Sequence, residues 1–352
     1  MSKTVGVLGA GAFGTAMAKI IAENGADVTL WSYEKEVTDE INQKHTNKYL
    51  PGVILPDSIK AVTEIRDAAL DKEYIILASP SLFLLNTVKE IISVPNVMEG
   101  VSKIAMIAKG FLDGSKGPQL LVDTVENYLP GFYKGNVVYI SGPSHAEEVA
   151  RGKITGLISA CSNPRMSILF RELISSETVQ VFSSLDIVGV QVSAAVKNVI
   201  AIAFGLLDAL KDISDRVGDN TESFLFAVGL NEIMKLGMAM GATHPETFTS
   251  LAAVGDLHVT CRSLYGRNRR FGSDIITQKV LDQFSDIDDI ISNIDKIGYL
   301  PEGIIAAKFA AQLADNYKLK LPMIQMVYKM LNKELSPMEI IKTLDPGFSP
   351  TE

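Results

Sequence analysis

Cysteine is scarce. Cys161 and Cys261 are the only two in 352 residues, and they stand in unrelated contexts. That excludes a disulfide framework and a cysteine-built zinc site, and it points to a reducing compartment, hence the cytoplasm. Blocks of like charge are also missing, although the net charge is −8. Nucleic acid is therefore a poor partner, whereas a small anion needs only local positive charge and is not excluded. There is no internal repeat, no low-complexity linker and no cluster of metal-ligating residues, so no metal is expected. A strand-like run is already under way at Thr4, which leaves no signal peptide to expect ahead of it. Proline is absent from residues 187–210, an apolar run long enough to span a bilayer. Gln191, Lys197, Asn198 and Asp208 within that run speak against insertion.

What is present starts with length. A chain of 352 residues with 47% hydrophobic side chains suits about two domains with ample cores. Residues 4–8, TVGVL, read as a buried strand. GAGAFG follows at 9–14, then Phe13, Ala16, Met17, Ile20 and Ile21 recur at helical spacing, and a second strand covers 28–31. Strand, glycine-rich turn, helix and strand within this span form the dinucleotide-binding pattern. Gly9 permits the tight turn, Gly11 lets backbone approach a pyrophosphate, and Gly14 lets helix and strand pack closely. The pyrophosphate then meets the positive end of a helix.

The first half continues with a turn-rich break at 47–52, NKYLPG. Strands are expected at 74–78 and 103–108, with a helix at 82–92 between them. Lys109 and Gly110 close the second of these strands, at the end where parallel sheets bind ligands. A helix is expected at 118–129 and a strand at 137–140, running into Ser141-Gly142-Pro143-Ser144-His145. Ser144 and Glu147 have the spacing of a capping box. His145 reads as an exposed turn residue rather than a catalyst. Strand-like runs at 154–160 and 178–182 flank a helix at 164–174, and strands end there.

From Asp186 on, the pattern is helical: 187–210, 221–240 with an Asp219/Glu222 capping box, 245–254, 273–283, 287–294, 303–315, 322–331 and 337–344. The last carries Ser336, Pro337 and Glu339 in cap, first-turn and capping-box positions. Strands and helices segregated into separate halves mean two domains, 1–185 and 186–352. In the helix 187–210, Val188, Val192, Val196, Val199, Ala203, Leu206, Leu207 and Leu210 share one arc. Gln191, Ser193, Lys197, Asn198 and Asp208 share the other, separated by small Ala194, Ala201 and Gly205, so that the polar face has room beside it. Lys197 is the only full positive charge in that run, and burial disfavours a charged lysine unless it finds a partner. Asp256 is a candidate partner. Residues 262–270 hold four arginines, and Arg267-Asn268 follow a glycine where a helix begins. A guanidinium fork and amide donors together suit a phosphate.

Joined in this order, GAGAFGTA (9–16), NKYLPG (47–52), AKG (108–110), GPSHAEEVA (142–150), AAVKNVIAIAFG (194–205), AVGDLHVTCRSLYGRNRRFG (253–272) and PEG (301–303) resemble the nicotinamide-dependent glycerol-3-phosphate dehydrogenases over nearly the whole chain. The resemblance implies an α/β Rossmann-type dinucleotide-binding domain followed by an all-α domain like the C-terminal part of 6-phosphogluconate dehydrogenase. It implies Lys197 as catalytic acid and base, with Asp256, Asn198 and Lys109 beside it. It implies cofactor contacts from Gly9, Gly11, Ala12, Phe13, Gly14, Tyr33, Glu34, Tyr49, Lys109, Ala146, Arg267, Leu300 and Glu302. Substrate contacts would come from Lys109, Gly142, Ser144, Lys197, Asp256, Thr260, Gly266, Arg267 and Asn268. Many bacterial relatives carry serine where Gly266 stands, which removes one hydroxyl contact.

The implied reaction is reversible reduction of dihydroxyacetone phosphate to sn-glycerol 3-phosphate for phospholipid synthesis, by a homodimer using NAD or NADP. Glu34, placed to accept from a ribose 2′-hydroxyl, favours NAD, with Lys35 as the residue that could admit a 2′-phosphate. Two other readings are a hydroxyacid or ketopantoate-type reductase and a non-catalytic nucleotide-sensing module.

Overall fold

In the computed structural model of the chain, residues 2–114, 117–263, 266–337 and 339 are described. They form two compact units. One runs to Gln191, apart from residues 117 and 118, and the other continues from Val192. The division falls inside a helix rather than ahead of it.

The first unit contains β1 (Thr4–Leu8), α1 (Ala12–Glu23), β2 (Asp27–Trp31), α2 (Lys35–Lys44), β3 (Lys60–Val62), α3 (Ile65–Ala69), β4 (Tyr74–Leu77), α4 (Ser81–Ile91), α5 (Pro95–Met98) and β5 (Lys103–Met106). A strand pair, β6 (Phe111–Gly114) and β7 (Gly117–Leu120), comes next. Then follow α6 (Leu121–Tyr128), β8 (Val138–Ser141), α7 (Ala146–Ala150), β9 (Thr155–Ala160), α8 (Pro164–Ile174) and β10 (Val179–Ser184). Eight strands make one sheet in the order β10-β9-β8-β5-β4-β1-β2-β3. Every pairing is parallel except β8 with β9. Strands covered on both faces read as continuous apolar runs, which is why β1 and β4 are buried almost throughout. Val7 pairs with Leu30 of β2 on one side and Ile76 of β4 on the other. The chain winds away from β1 in both directions, so the β1–β4 crevice is the switch point where such sheets bind ligands.

The structure corrects several local expectations. The helix expected at 118–129 starts only at Leu121, because β7 takes the residues before it. Ser144 does not cap α7. Its hydroxyl donates to the Gly142 carbonyl at 2.9 Å, and the helix begins two residues later with His145 at the cap position.

The helical unit holds most of α9 (Ile187–Lys211), then α10 (Asp219–Ala239), α11 (Asp256–Arg262), α12 (Arg267–Thr277), α13 (Ile287–Ser292), α14 (Gly303–Asn316) and α15 (Pro322–Leu331). α9 is long and apolar enough to cross a membrane, but most of that stretch is buried inside the fold. Its polar arc is buried as well, Gln191, Ser193, Lys197 and Asn198 included. The room beside Gly205 is filled by α12: a Cβ on Gly205 would lie 1.8 Å from the Arg269 carbonyl oxygen, and one on Gly272 would lie 2.1 Å from that of Ile202. The two helices therefore touch backbone to backbone. Arg269 locks the crossing with a two-pronged pair to Asp208 at 2.5 and 2.7 Å.

Further corrections concern helix boundaries. Thr221, not Glu222, reaches back to the Gly218 amide at the start of α10, and Glu222 pairs with Lys211 and Arg262 instead. The stretch expected as one helix at 245–254 is a 3-10 turn, Pro245–Thr249, and a π-helical turn, Leu251–Gly255, that feeds α11. The helix expected at 273–283 is displaced to Arg267–Thr277. Ser336 and Glu339 exchange both bonds of a capping box, while the helix expected at 337–344 lies outside the described residues except for 337 and 339. The start of α15 is held by Glu232, a buried carboxylate that accepts from the Met323 and Ile324 amides at 2.8 and 3.0 Å. A negative charge suits that helix end.

Candidate active site

In the first unit the glycine turn is built as a phosphate cradle. Gly9 sits at φ +137°, where a side chain is disfavoured, and any Cβ would lie 2.7 to 2.8 Å from Ala78 and Ser79 at the end of β4. Gly14 packs against the Gly9 carbonyl so tightly that a Cβ would come within 2.0 Å of it. Gly11 is the opposite case: nothing lies within 4 Å of the place its Cβ would take. Gly11 also caps α1 without a side chain. Open space meets the free amides of a helix start there, which is where a pyrophosphate fits. Ala12 and Phe13 form the half-exposed first turn of α1. These residues fit a dinucleotide.

The turn is braced from the loop at 47–49. Buried Asn47 donates to the Ala10 carbonyl at 2.9 Å and to the Thr15 hydroxyl at 2.8 Å, and it accepts from the Tyr49 amide. Beyond β2, Tyr33 is almost wholly exposed. Glu34 accepts from both the Lys48 ammonium and the Tyr49 hydroxyl. The Lys48 bond, with that of Tyr49, holds the Glu34 carboxyl below the usual carboxylate range. Lys35, the cation expected near this point, is instead paired with Asp39 along α2 at 2.6 Å. Elsewhere in this unit, Lys109 follows β5, half-buried, and Gly142, Ser144 and Ala146 follow β8.

The helical unit gathers the other residues. Lys197 is 6% exposed on α9, and Asp256, 1% exposed, opens α11. The two form an ion pair. Lys197 also donates to the Thr260 hydroxyl at 2.9 Å, and that hydroxyl donates to the Asp256 carbonyl at 2.6 Å. The π-helical turn before Asp256 sets the direction of α11, and such turns recur at functional sites. Next to Lys197, Asn198 accepts from Asn268 at 3.0 Å, and Asn268 accepts from the Gly303 amide at 2.8 Å. A Cβ on Gly303 would lie 2.6 Å from the Asn198 carbonyl oxygen, so α9, α12 and the start of α14 meet at one point. Arg267 stands exposed in the first turn of α12, with Gly266 as its cap. A Cβ on Gly266 would make only ordinary contacts at 3.4 Å and beyond, so a serine there would fit sterically. Half-buried Leu300 and Glu302 precede α14, Glu302 as its cap.

Sequence reasoning passed over Lys48 and the bracing role of Asn47. Both lie within the NKYLPG stretch, whose repeated polar residues in a turn were the available signal.

A dinucleotide cradle on a parallel sheet, with a buried lysine–aspartate pair in a helical unit, defines the class: a nicotinamide-dependent dehydrogenase. Residues 4–167 match the family profile described as NAD-dependent glycerol-3-phosphate dehydrogenase N-terminus, and residues 186–342 match that of its C-terminus. A glycerol-3-phosphate dehydrogenase [NAD(P)+] of Treponema denticola is 52% identical over 99% of both chains. One from Enterococcus faecalis is 35% identical, over 94% of this chain and 92% of its own. The crystal structure of glycerol-3-phosphate dehydrogenase from Coxiella burnetii superposes with a TM-score of 0.83 at 31% identity, covering 97% of this chain and 98% of that one. The chain belongs to the NAD-dependent glycerol-3-phosphate dehydrogenase family. The ketopantoate-type and nucleotide-sensing readings are not favoured, since both halves match this one family.

Proposed function

We propose that this enzyme reduces dihydroxyacetone phosphate to sn-glycerol 3-phosphate, reversibly, and thereby supplies the glycerol phosphate of phospholipids. The observation that carries the reading is a buried lysine held by Asp256 and Thr260, in a chain that aligns end to end with NAD(P)+ glycerol-3-phosphate dehydrogenases.

A bound reduced nicotinamide supplies the hydride that reaches the ketone carbon. Lys197 donates a proton to the ketone oxygen as negative charge builds there, and in reverse it removes that proton. Asp256 and Thr260 fix the position of the ammonium. Arg267 and the amides at the start of α12 take the phosphate, whose binding energy orients the distant carbonyl. Asn268, with both amide atoms engaged inside the protein, holds the phosphate turn against α9 and α14. By resemblance to the family, Lys109, Gly142 and Ser144 are assigned to the substrate, and Ala146, Tyr49, Leu300 and Glu302 to the cofactor. The chain acts in the cytoplasm as a homodimer and needs no metal. The test is absorbance of reduced cofactor with dihydroxyacetone phosphate against ketopantoate and other ketoacids. Turnover confined to the phosphorylated ketone supports the reading, and turnover confined to ketoacids refutes it.

A further inference from the structure

The Glu34–Lys48–Tyr49 cluster takes no part in the transfer of hydride or proton, yet it stands beside the dinucleotide turn. β1 and β2 run parallel with Leu8 opposite Trp31, so both strands end at the same edge of the sheet. Gly9 follows one end, and Glu34 lies three residues past the other. Asn47 ties the loop carrying Lys48 and Tyr49 to that same glycine turn through Ala10 and Thr15. A second anchor comes from Glu40, which accepts from the Lys48 amide at 3.2 Å and from the Thr46 hydroxyl at 2.8 Å. Glu34 itself is fixed as the cap of α2, with its amide on the Ser32 hydroxyl at 3.2 Å. The cluster is thus built from two independently anchored loops. All three side chains remain partly open to solvent.

We infer that Glu34 and Lys48 form a charge clamp that selects the nicotinamide cofactor, with Lys48 as the residue that decides whether a 2′-phosphate is admitted. The inference rests on the dehydrogenase reading above. An ionised carboxylate has about four acceptor sites, and Lys48 and Tyr49 occupy one on each oxygen. A ribose 2′-hydroxyl donates to a remaining one without disturbing the clamp. A 2′-phosphate has nothing to donate when fully ionised, and it brings negative charge against Glu34. To bind, it must draw Lys48 off Glu34 and leave that carboxylate uncompensated beside it. The intact clamp therefore favours NADH and admits NADPH only at the expense of the Lys48–Glu34 pair. Lys35, the other cation near this point, is paired with Asp39 along α2 rather than with Glu34.

The experiment measures dissociation constants of NADH and NADPH by nicotinamide fluorescence. Competition by adenosine 2′,5′-bisphosphate and by 5′-ADP isolates the ribose end from the chemistry. Wild type binds NADH more tightly. Lys48→Met weakens NADPH and the bisphosphate about tenfold relative to NADH and 5′-ADP, the scale of one charge-assisted contact. Glu34→Gln keeps shape and removes the repulsion, so it tightens NADPH relative to NADH by a similar factor. Both substitutions are on the surface, and the second is isosteric, so folding does not obscure the reading. Cofactor ratios unchanged in both variants, or equal weakening of both dinucleotides by Lys48→Met, overturn the clamp while leaving the dehydrogenase intact. Binding of neither dinucleotide by wild type overturns both readings together.

Discussion

Lys197 and Asp256 lie 59 residues apart in the chain and meet as a buried ion pair. Truncating one member of such a pair leaves the other charge uncompensated, which is far more damaging than the net worth of the pair suggests. Thr260 closes the triangle one helical turn beyond Asp256 by bonding to both partners.

Asp256→Asn keeps the shape and removes the charge. A neighbouring carboxylate favours the ammonium form of lysine, so its loss disfavours that form. Reduction needs the protonated lysine, and the variant should therefore lose rate at a lower pH than wild type does. The check is kcat against pH in the reductive direction. An unshifted profile with merely reduced amplitude would assign Asp256 a structural role only.

Arg267→Met removes the guanidinium from the first turn of α12. Loss of a charge-assisted phosphate contact should cost roughly 2–5 kcal/mol in kcat/KM for dihydroxyacetone phosphate. The loss should be much smaller with unphosphorylated dihydroxyacetone. Equal losses on the two ketones would take Arg267 out of the phosphate site.

Gly205→Ala reverses the usual helix rule. Alanine gains roughly 1 kcal/mol over glycine in an exposed helix. Here its Cβ would stand 1.8 Å from the Arg269 carbonyl oxygen, so α9 and α12 must separate. Overpacking of a tight contact costs about 1–3 kcal/mol or more. Thermal unfolding should show a lowered Tm, and a raised one would mean the crossing is looser than described.

Both thiols should be inert in the native protein. Burial pushes Cys161 up to about 11 and Cys261 up to about 12, from an ordinary value of 9.0. At pH 8 almost no thiolate is present, and the thiolate is the reactive form. The folded state holds these protons more tightly than the unfolded one. Their contribution to stability is thus complete below the unfolded value and falls as pH climbs towards 11 to 12. A thiol reagent at pH 8 should label both cysteines only after denaturation. Rapid labelling of the folded enzyme would contradict this.

Much of this was legible in the residues because each reading rested on a local constraint. Continuous apolar strands and the glycine spacing mark the first unit, where Gly9, Gly11 and Gly14 each meet a different steric demand. Lys197 called for a counter-charge because the helix around it is apolar, and Asp256 provides it. The losses have equally specific causes. β3 is only three residues long, and β7 contains glycine and proline, so neither carries a strand signature. α11 was hidden because Gly255 reads as a break, whereas it ends a π-helical turn that leads straight into the next helix. Ser144 has the spacing of a cap but spends its hydroxyl on Gly142. The Lys48–Glu34 pair joins positions 14 apart through tertiary structure, and no periodicity announces it.

The most direct measurement is single-turnover hydride transfer from NADH to dihydroxyacetone phosphate by Lys197→Met, alongside NADH binding to the same protein. General acid catalysis is worth at least ~10²-fold, so the hydride-transfer rate should fall by that factor or more while the NADH dissociation constant stays near wild type. A folded variant that binds NADH and turns over at close to the wild-type rate would contradict the assignment of Lys197 as the proton donor, and with it the account of the site.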